Sequence, residues 1–199
     1  MDVLFTGGSI CICRLVEPAD QTSLIRAFQE VALEQEWEIG TELSEPNRSS
    51  LYFAAYCAGQ LAGGIEIRKP DSTGFLPVYS TWPEISERAI DSPAHVVILA
   101  ITRKFRNQPR LLWTLCTEVW RSCRLLGIKN LLMEVPVANY RVYCRFGWSL
   151  EIVGAERCHW GEMCLPCRID IDVLEQSVLT KVEQAPSLRH ITDQAYRQG

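Results

Sequence analysis

The hydrophobic positions in the first half of the chain follow a strand, then a helix, then a hairpin. The run ICICRLV (10–16) is apolar at nearly every position, which predicts a strand. In residues 18–37 the apolar side chains recur every three or four positions, and this period predicts an amphipathic helix. Residues 51–70 contain two strand-like runs around the turn AGQ, the pattern of a β-hairpin. A loop that enters a short helix is expected over residues 72–89.

The second half of the chain alternates between buried strands and helices. AHVVILAIT (94–102) is unbroken apolar sequence, typical of a strand that is covered on both faces. QPRLLWTLCTEVWRSCRLLG has the helical period, with Pro109 in its first turn and Gly127 at its end. The remaining predicted elements are a strand at 130–136, a short helix at 138–147 and two closing strands within 148–173. The order β-α-β-β-α-β-α-β-α-β-β predicts an α/β (α+β) fold, with a mixed central sheet and helices on both faces.

Length and composition favour one domain that acts on small molecules or proteins. The chain has 199 residues, 47% of them hydrophobic, which is enough for one well-buried domain. We expect that domain to span residues 1–178, followed by a polar tail or docked helix at 179–199. The net charge of −4 argues against nucleic acid, whose partners usually carry a broad basic surface. The sequence shows neither a bilayer-spanning apolar stretch nor the pattern of a signal peptide, so we expect a cytoplasmic protein with no transmembrane segment.

Nine cysteines are present, and most lie within apolar segments. Reduced thiols packed in the core of a cytoplasmic protein are the expected state. Zinc is an alternative, because Cys158, His159, Cys164 and Cys167 supply four suitable ligands in the segment CHWGEMCLPC. These four residues are crowded into ten positions, too few to form two knuckles around a metal ion. We therefore expect no metal site.

A cluster of cations directly follows the buried strand at 94–102. Arg103, Lys104, Arg106 and Arg110 fall within eight positions of an otherwise acidic protein. Such a local patch indicates a binding site for an anion. The alternative is an ordinary solvated loop before a helix.

Two segments of the sequence resemble the GNAT N-acyltransferases. LAITRKFR (99–106) is similar to their fourth strand and following loop, and YCRFGW (143–148) is similar to the end of their last helix. Within that superfamily, three further segments resemble the long-chain N-acyl amino acid synthases, which are relatives of the acyl-homoserine lactone synthases. These segments are GIEIRKPDSTGFLPV, NYRVYCRFGW and IVGAERCHWGEMCLPCRIDI. The resemblance covers roughly residues 10–173 and implies a GNAT-like fold whose fourth and fifth strands splay apart.

The resemblance implies a thioester donor whose pantetheine arm lies between the splayed strands. Backbone N–H groups near Ala100, Ile101 and Thr102 would hold this arm and the thioester oxygen. The turn RNQPRL contains no glycine and its proline lacks an N–H donor, so a coenzyme A pyrophosphate would be poorly held there. A single phosphopantetheine phosphate needs fewer donors and could be bound by Arg106. The donor expected is therefore acyl carrier protein, which presents acyl-phosphopantetheine as a co-substrate, with no permanently bound cofactor.

Acyl carrier proteins are strongly acidic, so a cationic docking surface is expected on this chain. The residues predicted to form it are Arg103, Lys104, Arg110, Arg121 and Arg124.

Aminolysis of a thioester requires a base for the amine and an acid for the departing thiolate. Tyr143 stands where GNAT enzymes commonly protonate the leaving sulfur, although a phenol packed in the core is an equal alternative. Glu134 lies within an apolar strand, where burial would raise its pKa, and His95 titrates near neutrality; both are candidate bases. The lactone synthases carry Glu three positions before the arginine of this strand. Ala100 occupies that position here, so the base lies elsewhere or is a water molecule.

The acceptor is expected between the loop after the first helix and the hairpin of the last strands. The residues predicted to bind it are Trp37, Glu42, Arg68 and His159. Arg68 matches an arginine of the resembled family and is suited to a bidentate contact with a carboxylate, although a surface cation at a strand end is equally compatible. Trp113 and Trp120 share a helix face and are expected in the core.

The resemblance and the residues together imply an acyltransferase that moves a long-chain fatty acyl group from acyl carrier protein to the α-amine of an amino acid. Two alternatives stay open. One is an acetyl-CoA-dependent GNAT N-acetyltransferase, and the other is a non-catalytic module that senses acyl carrier protein or a lipid.

Overall fold

The computed structural model describes residues 1–39, 43–174, 176 and 180. Within them the chain forms nine β-strands and four α-helices. The strands are β1 (Asp2–Gly7), β2 (Ile10–Leu15), β3 (Ser50–Cys57), β4 (Gln60–Arg68), β5 (Pro93–Ile101), β6 (Asn130–Pro136), β7 (Leu150–Ile152), β8 (Arg157–His159) and β9 (Glu162–Asp170). The helices are α1 (Pro18–Glu34), α2 (Val78–Thr81), α3 (Pro109–Leu125) and α4 (Val137–Arg145).

All nine strands belong to one mixed sheet, which confirms the predicted fold class. Their order is β1-β2-β3-β4-β5-β6-β9-β7, and β8 pairs with β9 at one end. The contact between β5 and β6 is parallel and the other pairs are antiparallel. The connection from β5 to β6 runs through α3, as a parallel crossover requires.

The sheet opens between β5 and β6. Only four residue pairs join these strands, from Pro93 with Asn130 to Val96 with Met133. Beyond this point β5 continues along β4 and β6 continues along β9, so a gap forms between them. The predicted splay of these two strands is therefore confirmed. The register between β4 and β5 also shifts here, and Val97 is left without a partner on β4.

Helices cover both faces of the sheet, as predicted. Helix α3 packs on one face, where Trp113 and Trp120 are buried in the largest apolar cluster. Helix α1 packs on the other face through residues such as Leu24 and Phe28. The segment that follows β4 covers the rest of this second face, with Trp82 fully buried. The gap between β5 and β6 thus lies between two well-packed layers.

The sequence interpretation missed two elements and misplaced one boundary. Strand β1 was not predicted, nor was the short β8. The predicted first helix ends at Glu34, because Gln35 and Glu36 leave the helical conformation and Glu36 has a φ of 57°. Apart from Thr180, the tail expected at 179–199 lies outside the described residues. In the part of the chain that the structure describes, no helix is long and apolar enough to cross a membrane.

Candidate active site

A cleft of about 160 Å³ occupies the gap between β5 and β6. Residues 96–99 of β5 form one wall, and Met133 and Glu134 of β6 form the other. Tyr143 of α4 and the hairpin between β8 and β9 close its remaining sides. Several of the residues predicted to carry chemistry are thereby brought to one place.

Glu134 is a buried carboxylate that faces this cleft. Its Oε2 atom lies 2.7 Å from Nε2 of His95, and the two side chains are only 6% and 3% exposed. The second carboxylate oxygen, Oε1, has no hydrogen-bond partner among the described residues, and neither has Nδ1 of His95. A buried oxygen without a donor is costly, so this position favours a ligand that donates a hydrogen bond.

The electrostatics of Glu134 differ from the prediction. Burial acts to raise the pKa of Glu134, as expected, but the imidazole of His95 and, more weakly, His159 act to lower it. The net direction is downward, so the carboxylate is ionised at neutral pH. The sequence interpretation was wrong on this direction because the pairing of two strands, which sets the contact with His95, is a property of the fold.

His95 itself is not among the residues that line the cleft. It is buried on β5, paired with Arg68 in the register between β4 and β5. Its contact with Glu134 orients the carboxylate.

Tyr143 lines the cleft, as predicted. Its ring stacks on Trp148 with centroids 4.5 Å apart, which fixes the orientation of the phenol. Burial, with smaller contributions from Cys116 and Glu162, raises the pKa of Tyr143 to about 12. The hydroxyl is therefore protonated at neutral pH and can donate a proton.

The end of the cleft beside the hairpin of β8 and β9 is aromatic and acidic. Trp37 Nε1 donates a hydrogen bond of 3.0 Å to Oε1 of Glu162, and its ring lies 6.1 Å from that of Trp160. His159 stacks on Trp160 at 4.9 Å and lies 3.4 Å from the Thr81 hydroxyl through Nδ1. The structure therefore brings the predicted Trp37 and His159 together.

Trp160 and Glu162 are residues of this site that the sequence interpretation missed. Trp160 and Gly161 form the two-residue turn of the hairpin between β8 and β9, with φ values of 50° and 83°. Positive φ at both positions is characteristic of a type I′ turn, which normally takes asparagine and glycine. A bulky tryptophan at φ 50° is strained, and this turn places Trp160 among the residues that line the cleft. The dipeptide Trp-Gly between two strand-like runs was the available sequence signal.

The prediction for Arg68 is not supported. Arg68 donates to Oε1 of Glu66 at 2.6 Å and to the Ser50 hydroxyl at 3.1 Å, and Glu66 is 1% exposed. The Arg68 guanidinium, which was expected to bind the carboxylate of the acceptor, is therefore already bound to Glu66. Arg68 also does not line the cleft. Glu42, also predicted for the acceptor site, lies outside the described residues.

The backbone of β5 offers fewer N–H donors to the gap than predicted. The N–H of Thr102 donates to the Ala62 carbonyl at 2.9 Å, so it is not available to a ligand. Alternation along an antiparallel ladder directs the N–H of Ala100 toward β4 in the same way. The N–H groups of Leu99 and Ile101 point to the open side. The strand itself was predicted correctly. Of Ala100, Ile101 and Thr102, which were proposed to hold the pantetheine arm, only Ile101 presents its N–H to the gap.

Arg106 lies in the turn after β5. Its Nε atom donates to the Ile101 carbonyl at 3.0 Å, and its NH2 group forms an ion pair with Glu34 of α1 at 2.7 Å. The Arg106 side chain is one-third exposed, so it can also meet an anion from solvent.

The predicted docking cations fall into two separate groups. Arg103, Lys104 and Arg110 are exposed around the start of α3. Arg121 and Arg124 lie 11 and 14 residues further along this helix than Arg110, which corresponds to about 16 and 21 Å at 1.5 Å per residue. Arg124 is 3.9 Å from Asp172. The expectation of one continuous patch is therefore wrong for these two residues, because the helix carries them to its far end.

The alternative zinc site is excluded by strand geometry. Cys164 and Cys167 are three positions apart on β9, and side chains at odd spacing point to opposite faces of a sheet. Cys164 packs beneath Trp82, whereas Cys167 belongs to the cluster under α3. Within the described residues no group of three or more His, Cys, Asp or Glu side chains is placed to bind a metal ion. The nine cysteines, which all lie in that part of the chain, are free thiols.

No protein-family model matches the sequence, and no curated protein has significant sequence similarity to it. Solved structures do resemble the fold. FeeM, described as an N-acyl amino acid synthase from uncultured soil microbes, superposes with a TM-score of 0.70 at 17% identity, over 86% of this chain and 96% of FeeM. BjaI, described as a CoA-dependent acyl-homoserine lactone synthase, gives 0.66 at 14% identity, over 87% of this chain and 88% of BjaI.

A GNAT-family protein from Desulfovibrio desulfuricans has the same arrangement of elements. Its TM-score is 0.53 at 17% identity, over 81% of this chain and 99% of that protein. Identities at this level establish the fold alone. The chain therefore has the GNAT acyltransferase fold, and the resemblance to N-acyl amino acid synthases and acyl-homoserine lactone synthases is confirmed at the level of fold.

Proposed function

We propose that this protein transfers a long-chain acyl group from the phosphopantetheine thioester of acyl carrier protein to the α-amine of an amino acid. One observation carries the proposal. Glu134 presents a buried, unpaired carboxylate oxygen to a cleft that also contains the neutral phenol of Tyr143. An acceptor for an amine proton and a donor for a leaving thiolate are the two groups that thioester aminolysis needs.

The amine enters with an N–H directed at Oε1 of Glu134. Its lone pair attacks the thioester carbonyl carbon, and the proton that it loses passes to Oε1 of Glu134, whose Oε2 atom is held by His95. The negative charge that develops on the thioester oxygen faces the backbone N–H groups of Leu99 and Ile101.

Collapse of the tetrahedral intermediate breaks the carbon–sulfur bond and restores the carbonyl. Tyr143 donates its proton to the departing thiolate and regains one from Glu134 through solvent. The products are an amide and a free thiol, and the enzyme returns to its starting protonation state.

The choice of carrier protein over coenzyme A is supported by the turn before α3. That turn has no glycine, and Pro109 removes one backbone donor. Arg106, in the turn after β5, suits a single phosphate, and three exposed cations lie within four residues of it in the chain. A reaction with acyl carrier protein would take place in the cytoplasm. The second candidate function is transfer of an acyl group from acetyl-CoA or another acyl-CoA. One comparison favours it, because BjaI is described as CoA-dependent.

The possible donors can be distinguished by mass spectrometry of reactions that contain the purified chain, an amino acid mixture and one of palmitoyl carrier protein, palmitoyl-CoA or acetyl-CoA. We expect N-acyl amino acids to form from the carrier thioester, with a kcat/KM at least tenfold higher than with palmitoyl-CoA. Transfer from acetyl-CoA alone would establish the second candidate, and carrier binding without any product would indicate a non-catalytic module.

Glu134→Gln keeps the size of the side chain and removes the proton acceptor. We expect a loss of activity of about 100-fold or more. Glu118→Gln is the matched control, because Glu118 is also a buried carboxylate but lies on α3, away from the cleft. Equal activity in the two variants would overturn the assignment of Glu134.

A further inference from the structure

The end of the cleft beside the hairpin of β8 and β9 contains negative charge and aromatic rings. Glu134 and Glu162 both line the cleft, whereas no lysine or arginine of the described residues does. Arg68 on β4 and Arg157 on β8 are already paired, with Glu66 at 2.6 Å and with Glu84 at 3.0 Å. The site is thus suited to positive charge.

Trp37, Trp160 and Glu162 form a group with a specific chemistry, which we call the indole–carboxylate group. The two indole rings are 6.1 Å apart and tilted by 38°, and Trp37 holds the carboxylate at 3.0 Å. Glu38 adds a second acidic side chain beside the turn. Its Cγ atom lies 3.5 Å from the point where a Cβ atom would stand if residue 161 were not glycine. Aromatic faces beside a carboxylate bind organic ammonium ions by cation–π and ionic attraction.

The unpaired oxygen of Glu134 is an independent sign of a second nitrogen position in the same cleft. It belongs to a side chain that is 6% exposed, and it has no donor among the described residues. In the register between β6 and β9, Glu134 is opposite Pro166, four residues from Glu162. This places the two α-carbons about 13 Å apart along the strand, at 3.3 Å per residue. Two glutamate side chains that extend toward a shared ligand could bridge this separation when the ligand carries two amines joined by four or five carbons.

We propose that the acceptor is an amino acid with a cationic side chain, of the ornithine or lysine type. Its α-amine meets Glu134 and is acylated, while its side-chain ammonium is bound by the indole–carboxylate group. This inference rests on the proposed acyl transfer and narrows its acceptor. It also explains why the strained Trp160 lines the cleft.

The test compares lysine with norleucine, which has the same four-carbon side chain without the ammonium group. Binding of each to the full chain is measured by quenching of tryptophan fluorescence and by calorimetry, without any acyl donor. We expect lysine to bind at least tenfold more tightly than norleucine. Glu162→Gln is expected to reduce this ratio to near one, and Glu151→Gln, on the exposed strand β7, is expected to leave it unchanged.

Equal or tighter binding of norleucine by the native chain would overturn the inference, as would a ratio that persists in Glu162→Gln. The same pair is then compared in turnover with palmitoyl carrier protein. Faster acylation of norleucine would refute the inference and leave acyl transfer established. Selective lysine binding with no acylation of any amine would support the cation site and refute the proposed reaction.

Discussion

His95 and Glu134 are 39 residues apart in the chain and meet at 2.7 Å, where the last parallel pairs of β5 and β6 precede the opening of the sheet. The contact couples a group that is buried behind the cleft to one that lines it. The state of Glu134 therefore depends on a residue that touches no ligand.

Replacement of His95 by glutamine is expected to move the acid limb of the pH profile of kcat/KM to higher pH. His95 is the main cause that lowers the pKa of Glu134 against the effect of burial. Without it, burial dominates and the carboxyl is protonated at a higher pH. The measurement is the rate between pH 4 and 9. His159→Gln serves as the comparison and is expected to shift the limb less, because its effect on Glu134 is smaller; an unchanged limb in His95→Gln would contradict the coupling.

Tyr143→Phe is expected to lower kcat by about 100-fold, since it removes the proton donor for the thiolate. Because the pKa of Tyr143 is about 12, we also expect no loss of its proton-donor role as the pH rises from 7 to 10. Single-turnover rates over this range provide the measurement. Tyr140→Phe, on the same helix with its hydroxyl donating to the Leu150 carbonyl, is the control and is expected to retain activity.

Charge reversal at the start of α3 is expected to weaken the use of acyl carrier protein. Arg103→Glu combined with Arg110→Glu is expected to raise the KM for the carrier thioester at least tenfold, and to leave the KM for a free acyl-pantetheine unchanged. The effect follows from lost attraction to an acidic partner, so added salt is expected to weaken carrier binding by the native chain. Arg124→Glu, at the far end of the helix, is the control. A KM for the carrier that is unaffected by the double reversal would remove this surface from the proposal.

Trp160→Asn is expected to separate stability from binding. Asparagine suits the left-handed conformation at this turn, which offsets the loss of a half-buried indole, so we expect the free energy of unfolding to change by less than about 1 kcal/mol. Acceptor binding is expected to fall at least tenfold. Urea denaturation and calorimetry on the same preparation provide both values. Retained acceptor affinity would show that the strained tryptophan has no part in the site.

The sequence was sufficient for most of the architecture. The apolar runs and their order predicted the mixed sheet and both covered faces, and the family resemblance implied the opening between β5 and β6. It also named Tyr143, Trp37 and His159, which all line the cleft, and their chemical roles stay predictions. The elements were predicted from periodicity along one segment at a time, whereas Tyr143 was named from the family resemblance.

The errors concern relations between elements. The pKa of Glu134 depends on a contact across two strands, and Arg68 is occupied by Glu66, two residues earlier on the same face of β4. Val97 has no partner on β4, but it belongs to an uninterrupted apolar run, so no sign of this irregularity is visible in the sequence. Glu162, at the start of a strand, reads as an ordinary surface carboxylate until the hairpin turns it toward Trp37. For Glu134, Val97 and Glu162, strand pairing and register decide the outcome, and neither can be read from one segment.

The short contact between β5 and β6 has a mechanical consequence. Only four residue pairs join β5 to β6, so the sheet has two parts connected by a short contact. We call these parts the wings: β1–β5 form one and β6–β9 form the other. Each wing keeps its own hydrogen-bonded ladder, so the wings are candidates for separate units of local opening. A ligand that lies in the cleft touches both. Its binding would tie the wings together, and we expect it to make their amide hydrogen exchange cooperative as well as slow.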